Sequence, residues 1–398
     1  MQTTFRYLTF AGMTAAIAAI TNLAAPDAFA ADKVKIGMLS TLSGPGAALG
    51  IDIRDGFNLA LKHSGGKVGG LPVEVIVADD QQNPEAAKQA TDRLLKRDKV
   101  DFMTGIVFSN LMLAVGQPIF DSKTFYISAN AGPSQYAGDQ CNPYYFNVAW
   151  QNDNQHEAVG KTVQDKGFKK VALLAPNYPA GKDALTGFKR YYKGDVTQEI
   201  YTRINQPDYA AELAQIRASK PEALFIFLPG GMGINFIKQF VATGMSKDVQ
   251  LFGPGFSADE DVIGAVGDPM LGMFNASQWA FDLDNAANKK FVADFRQEYK
   301  RTPTVYASQG YDAFMLLDGA VRDVKGKIED KAAVQKALEA ARFKSVRGDF
   351  KFNTNHHPIQ DYYLRVVSKG PDGKPTNRTL STVFKNHADA YVADCKMK

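Results

Sequence analysis

The chain has 398 residues, 22% of them charged and 45% hydrophobic, with two cysteines and a formal net charge of +4. That length accommodates two or three domains, and the charged fraction excludes wholesale disorder, collagen-like repeats and a disulfide-dense scaffold. So small a basic excess shows no clustered tract of the kind nucleic acid requires, and no nucleic-acid partner is expected.

At the N-terminus Arg6 and the chain amine precede an apolar, alanine-rich run, Tyr7–Leu23, then Pro26 and the triplet Ala28-Phe29-Ala30. The run is short and closed by a small-x-small site, which predicts a signal peptide over residues 1–30, cleaved after Ala30, rather than a membrane anchor. No later window approaches the roughly 18 apolar residues of a membrane span. In an oxidising compartment Cys141 and Cys395 are expected to pair.

Beyond residue 30 strands and helices alternate. Lys33–Ser40 reads as a strand, Thr41–Gly50 as a glycine-rich loop, and a helix runs to about His63 with Ile53, Phe57, Ala60 and Leu61 on one stripe. Strands follow at Leu71–Ala78, Asp101–Ile106 and Thr124–Ser128. Asn83-Pro84 opens one intervening helix with a cap and a first-turn proline, and Leu111–Phe120 forms the next. After an aromatic-rich interruption, Gly132–Trp150, the rhythm restarts. Strands are expected at Lys170–Ala175, Val196–Thr202, Ala223–Leu228 and Val249–Phe252. Helices are expected at Asn154–Lys166, Asp183–Tyr192, Tyr209–Ser219 and Ile234–Thr243. A last section holds a strand near Met270–Ala276, helices near Ala286–Lys300, Ala307–Val324 and Lys331–Ala341, and strands near Gly348–Phe352 and Tyr362–Val367. Such alternation predicts an α/β chain with two doubly wound, Rossmann-like parallel sheets. Ligands of such sheets sit beyond the carboxyl ends of the strands. The loops there (Thr41–Gly46, Ile106–Asn110, Ser128–Gly132, Pro176–Ala180, Pro229–Gly233, Gly253–Ser257) are rich in Ser, Asn, Gly and Tyr and nearly uncharged. That describes a binding cleft better than a catalytic one.

Three chemistries are set aside. Gly44, Gly46 and Gly50 mimic a dinucleotide fingerprint with the wrong spacing, and Asp79-Asp80 read as loop caps before a proline-opened helix. His356-His357, placed on a strand, would point to opposite faces with no third ligand near, so no metal and no cofactor is expected. No nucleophile elbow, Walker motif or zinc-protease helix occurs, so the chain is not expected to be an enzyme.

Taken together, the leader, KVKIGMLSTLSGPGAALG (33–50), VADDQQNPEAAKQATDRLL (77–95), YISANAGPS (126–134) and FKSVRGDFKF (343–352) resemble the leucine/isoleucine/valine-binding family of type I periplasmic solute-binding proteins of ABC importers. The resemblance covers essentially the whole chain after residue 30. It implies two lobes joined by three crossing segments near Phe146–Gln151, Asn275–Ala280 and Asn353–Gln360, closing on ligand like a hinged trap. Lobe one would comprise residues 31–148 and 277–355, and lobe two residues 149–276 and 356–398. It further implies a periplasmic location, a small-molecule ligand, ABC permease subunits as partners and a monomer.

Residue by residue, the resemblance places a carboxylate on Ser109 and on the run Ala129–Ala131, with Asn130 among them, beside Ser43, Phe108 and Asn110, and brings Tyr178 from lobe two. Amino-acid binders hold the ammonium with an acid after Gly-Pro in a later loop. Here that loop reads Phe252-Gly253-Pro254-Gly255-Phe256-Ser257, with Asp259 and Glu260 as substitutes further on. An ammonium without an anionic partner in a dry cleft costs several kcal/mol. Aromatic Phe108, Tyr178, Phe256, Trp279 and Tyr306, with apolar Leu228 and Pro229, suit a ring. The segments ISANAGPS, VAWQND and DCKMK resemble a branch associated with aromatic acids such as benzoate and cinnamate derivatives. The expected ligand is therefore an aromatic carboxylate. A branched-chain or other amino acid, or a role as ligand-sensing partner of a signalling receptor, stays open.

Overall fold

A computed structural model describes residues 1–2 and 31–397; the expected signal peptide falls almost wholly outside the described residues. Two sheets organise the chain. The first contains β1 (Val34–Ser40), β2 (Lys67–Val68), β3 (Leu71–Asp79), β4 (Phe102–Thr104), β5 (Phe125–Ser128) and β6 (Tyr145–Asn147), in the order β2-β3-β1-β4-β5-β6. All pairs are parallel except the short β2–β3 hairpin. The second contains β7 (Lys170–Pro176), β8 (Asp195–Thr202), β9 (Ala223–Ile226), β10 (Gln250–Pro254) and β11 (Phe274–Ser277), then β12 (Lys351–Phe352), β13 (Pro358–Lys369) and β14 (Pro375–His387). Its order is β12-β13-β11-β10-β9-β7-β8, with β14 on β13. The parallel cores β3-β1-β4-β5-β6 and β8-β7-β9-β10-β11 have the same winding, so each lobe reverses direction between its first and third strands. The strands β1, β4, β5, β7, β9, β10 and β11 are buried on both faces along most of their length, which explains continuous apolar runs such as VALLA in β7, whereas β3 and β8 are partly exposed.

Where structure and expectation differ, the cause is local. β6 lies in the stretch read as an interruption; Tyr145 and Phe146 are buried there between Tyr126 and Phe125 on one side and His357 and His356 on the other. β14 carries the polar sequence PTNRTLSTVFKNH, exposed along much of its length as an outer strand, and showed no apolar signal. His356 and His357 lie in a turn, with His356 at φ +58°, instead of on a strand. His356 stacks on Phe146 with ring centroids 3.9 Å apart. Asp79 and Asp80 do cap their loop: Oδ1 of Asp79 accepts from Leu42 N at 2.9 Å and Oδ1 of Asp80 from Thr41 Oγ1 at 2.7 Å.

Helices Ala286–Tyr299 and Val305–Asp323 return to the first sheet and pack against helix Ala47–His63. The crossing is tight because glycines face backbone on both sides. A Cβ on Gly56 would sit 1.9 Å from the Ala307 carbonyl oxygen, and one on Gly310 2.0 Å from that of Ile53.

Three stretches link the sheets: after β6, after β11, and between helix Lys331–Ala340 and β13. They are sewn together by polar contacts. Asn147 N donates to His356 O (3.0 Å), Gln155 Nε2 to Gln278 Oε1 (2.9 Å) and Gln360 Nε2 to Ala149 O (2.8 Å). The C-terminal tail folds over the same region, where Asn355 Nδ2 donates to Ala137 O (2.8 Å) and Asp389 Oδ2 (3.0 Å). A disulfide joins Cys141 to Cys395, with Cα atoms 5.6 Å apart and a sequence separation of 254.

Candidate functional site

The reversal points of the two sheets face each other. From the first come the end of the β4 loop and the helix Ser109–Asp121; from the second come Tyr178, after β7, and Phe227 with Pro229, after β9. Between them lies a cavity lined by Leu49, Val107, Phe108, Ser109, Asn130, Trp150, Asn152, His156, Tyr178, Ala180, Phe227, Pro229, Phe256 and Tyr306. This is where an open α/β sheet exposes helix N-termini and binds ligands.

Two helices end at it from opposite lobes. Phe108 precedes Ser109–Asp121 without a side-chain cap, and the N–H groups of Ser109 and Asn110 have no backbone or side-chain acceptor among the described residues. Helix Pro179–Tyr191 starts after Tyr178, again uncapped, with Ala180 on the cavity. Its close fit to β7 requires Gly181, whose Cβ would lie 1.9 Å from the Pro176 carbonyl oxygen.

The walls are a chain of aromatic contacts. Phe108 meets Tyr178 at 6.3 Å, and Tyr178 stacks on Phe227 at 6.0 Å and 17°. Phe227 meets Phe256 edge-on at 5.5 Å, and Phe256 stacks on Trp150 at 5.5 Å and lies 6.1 Å from Tyr306. Such a box presents ring faces and edges to a planar guest.

Its polar groups are neutral. Asn152, on the first crossing segment, spends its two amide hydrogens on Ser109 Oγ (3.0 Å) and Asp183 Oδ2 (2.9 Å), and its Oδ1 accepts from Gly132 N (3.2 Å). Ser109 Oγ is thus held in place as an acceptor from Asn152 while its own O–H remains free to donate. The hydroxyls of Tyr178 and Tyr306 have no partner among the described residues, and burial pushes the pKa of both upward, so they stay protonated. Asp183, behind the wall, also accepts from Ser134 N (3.1 Å) and Ser134 Oγ (2.8 Å), a contact between lobes. Burial raises its carboxyl above the ordinary range.

Of the residues expected at the site, Phe108, Ser109, Asn130, Tyr178, Pro229, Phe256 and Tyr306 line the cavity. Others lie outside it, each for a visible reason. Ser43 is exposed and bonds the Asp79 carboxylate. Asn110 lies one position further round its helix. Ala129 and Ala131 are buried within the first lobe, where Ala131 O accepts from Ser128 Oγ at 2.6 Å. Leu228 points to the opposite face of β9's continuation, into the apolar cluster with Met232 and Phe236. Trp279 is buried, with its Nε1 on Asn288 Oδ1 at 2.7 Å. Asp259 and Glu260 are committed elsewhere: Asp259 Oδ2 accepts from Val305 N (2.6 Å), and Glu260 from Thr376 Oγ1 and Asn377 N (both 3.0 Å).

Sequence reasoning missed Leu49, Val107, Trp150, Asn152, His156, Ala180 and Phe227. Phe227 was within reach. Residues 225 and 227 share one face of their strand, and 224, 226 and 228 the other.

Comparison with known proteins agrees with this geometry. Residues 33–373 match the family model described as periplasmic binding protein. The Leu/Ile/Val-binding protein homolog 6 of Brucella melitensis is 28% identical over 376 residues, covering 92% of this chain and 95% of the relative. A solute-binding protein of an ABC transporter from R. palustris, solved with benzoate, superposes with TM-score 0.87 at 32% identity over 92% of this chain and all of that one. Another, from Rhodopseudomonas palustris BisB5 and solved with 3,4-dihydroxybenzoic acid, gives TM-score 0.83 at 30% identity over 90% and 99%. The matched span, the twin sheets and the cleft between them agree: the chain belongs to the periplasmic binding protein family, whose members are solute-binding proteins and not enzymes, and it is a solute-binding protein of an ABC transporter.

Proposed function

We propose that this protein captures a small aromatic carboxylate, of benzoate or cinnamate type, by closing its lobes on it, and delivers it to the permease subunits of its transporter. The observation that carries this reading is the lining of the cavity: a box of aromatic rings with neutral donors and no carboxylate side chain. A carboxylate fits Ser109 Oγ–H and the N–H groups at the start of its helix, which favour negative charge. An α-amino acid would leave its ammonium without an anion, since Asp259 and Glu260 are both turned away and engaged. The benzoate and 3,4-dihydroxybenzoic acid bound by the two R. palustris proteins support the same class. Asn110 contributes its backbone N–H and not its side chain, and Ser43, Ala129, Ala131, Leu228 and Trp279 contribute no side chain to the cavity lining. Export through the leader, with cleavage after Ala30, places the protein in the periplasm.

A thermal-shift screen tests it. An aromatic acid at 100 times its Kd adds about 2.7 kcal/mol to stability, which raises the melting temperature. A rise with leucine, isoleucine or valine and none with benzoate, hydroxybenzoates or cinnamates refutes the ligand class. Ser109→Ala is expected to weaken aromatic-acid binding by about 10- to 100-fold, the worth of a hydrogen bond to a charged group; calorimetric titration of the variant checks it.

A further inference from the structure

One imidazole on the cavity wall makes no hydrogen bond among the described residues. His156, in the first turn of helix Asn154–Asp165, is 2% exposed and lines the cavity from lobe two. Its ring is bordered by aromatic edges: Phe227 at 5.1 Å, Phe225 at 5.6 Å and Phe256 at 6.2 Å. Neither ring nitrogen hydrogen-bonds a group among the described residues, and Nδ1 is a buried atom without a partner. Its neighbours in sequence are all engaged. Gln155 Oε1 accepts from Gly255 N at 2.9 Å, and Glu157 pairs with Arg190 and His387. Burial holds the imidazole neutral, with its pKa brought down to about 3, so the ring offers one N–H donor and one acceptor nitrogen.

A buried polar group left unpaired costs about 1–3 kcal/mol, whereas a phenylalanine would complete the surrounding apolar cluster without that cost. A bound guest removes the penalty if it brings a hydroxyl to this spot, because a neutral imidazole pairs with a hydroxyl as either donor or acceptor. Ser109 and His156 line the same cavity from the first turns of two different helices, so a ring whose carboxylate rests on Ser109 can present a remote position to the imidazole.

We propose that His156 is the recognition point for a hydroxyl at the ring position remote from the carboxylate, making the protein selective for 3- or 4-hydroxylated aromatic acids over unsubstituted ones. This rests on the aromatic-acid reading above and narrows it. A site built to hydrogen-bond a hydroxyl discriminates against analogues that lack one, because its own polar group is then left unpaired.

Calorimetric titration of benzoate, 3-hydroxybenzoate and 4-hydroxybenzoate into the parent protein, His156→Phe and His156→Leu tests the assignment. The parent is expected to bind at least one hydroxybenzoate about tenfold or more tighter than benzoate, and in both variants that ratio is expected to fall toward one. Two variants of different shape guard against misfolding of either, and the parent's own ratio is measurable regardless. Equal affinities in the parent overturn the assignment. So does a ratio that survives in a folded variant, including a uniform loss for all three acids, which would put the carboxylate on the imidazole. Binding of none of the three by the parent refutes the aromatic-acid reading, and this assignment with it.

Discussion

Arg347→Met is expected to destabilise the protein by about 3–5 kcal/mol, the cost of stripping one partner from a buried ion pair. The guanidinium is 3% exposed and its partner, Asp312 on helix Val305–Asp323, is fully buried; Nη2 and Oδ2 are 3.0 Å apart. Nη1 also donates to Ala149 O (3.1 Å) and Gln360 Oε1 (2.7 Å), and Nη2 to Val148 O. One side chain therefore joins the first crossing segment, the third crossing segment and the lobe-one helix that carries Tyr306. Methionine fills similar volume and leaves Asp312 with Ser345 Oγ (2.5 Å) and Val346 N (3.1 Å) but no cation. Burial already pushes the Asp312 carboxyl upward, and without Arg347 it takes up a proton. Adding Asp312→Asn to Arg347→Met should recover part of the loss, because the amide is neutral without having to take up a proton. Urea denaturation of the single and double variants measures both. A loss below about 1 kcal/mol for Arg347→Met would mean the guanidinium does not hold the hinge.

Breaking the disulfide, by Cys141→Ser with Cys395→Ser, is expected to cost about 2–5 kcal/mol. The bridge closes a loop spanning 254 residues of sequence, so its removal frees most of the unfolded chain from a constraint. The tail it holds also contributes Tyr391, whose hydroxyl donates to Asp153 Oδ2 at 2.9 Å beside the Arg190 ion pair. Denaturation with and without reductant should reproduce the difference in the parent and show none in the double variant. An equal effect of reductant on both would show that the bridge does not carry the stability.

The motif FKSVRGDFKF shows what a sequence does and does not disclose. Its presence pointed to a family, yet nothing in its spacing says that Arg347 reaches two crossing segments, because that contact is made by three stretches far apart in the chain. The repeated strand–helix rhythm was legible because buried parallel strands are apolar throughout and helices carry 3–4 spacing. The cleft loops were legible for the same reason: strand ends determine them. Trp150, Asn152 and His156 were not, since the first two belong to a crossing segment, and His156 to the helix it leads into, whose direction is set by the packing of both lobes. The Thr41–Gly46 loop was identified, but its serine turns to Asp79 while Leu49, on the helix that follows, reaches the cavity. β14 escaped because an exposed outer strand need not be apolar.

The neutrality of the cavity lining bears on the acidity range over which the protein operates. Its lining hydroxyls, amides and indole carry no charge, His156 titrates only near pH 3, and Tyr178 and Tyr306 are displaced upward. No lining side chain thus changes charge between about pH 4 and 9, and a carboxylic acid is ionised above about pH 5. Dissociation constants measured at steps from pH 6 to 9 should therefore vary little, where a cavity built on an ordinary histidine or lysine would show a titration. Capture on these terms requires no charge change in a lining side chain, so between about pH 6 and 9 the same trap serves without retuning.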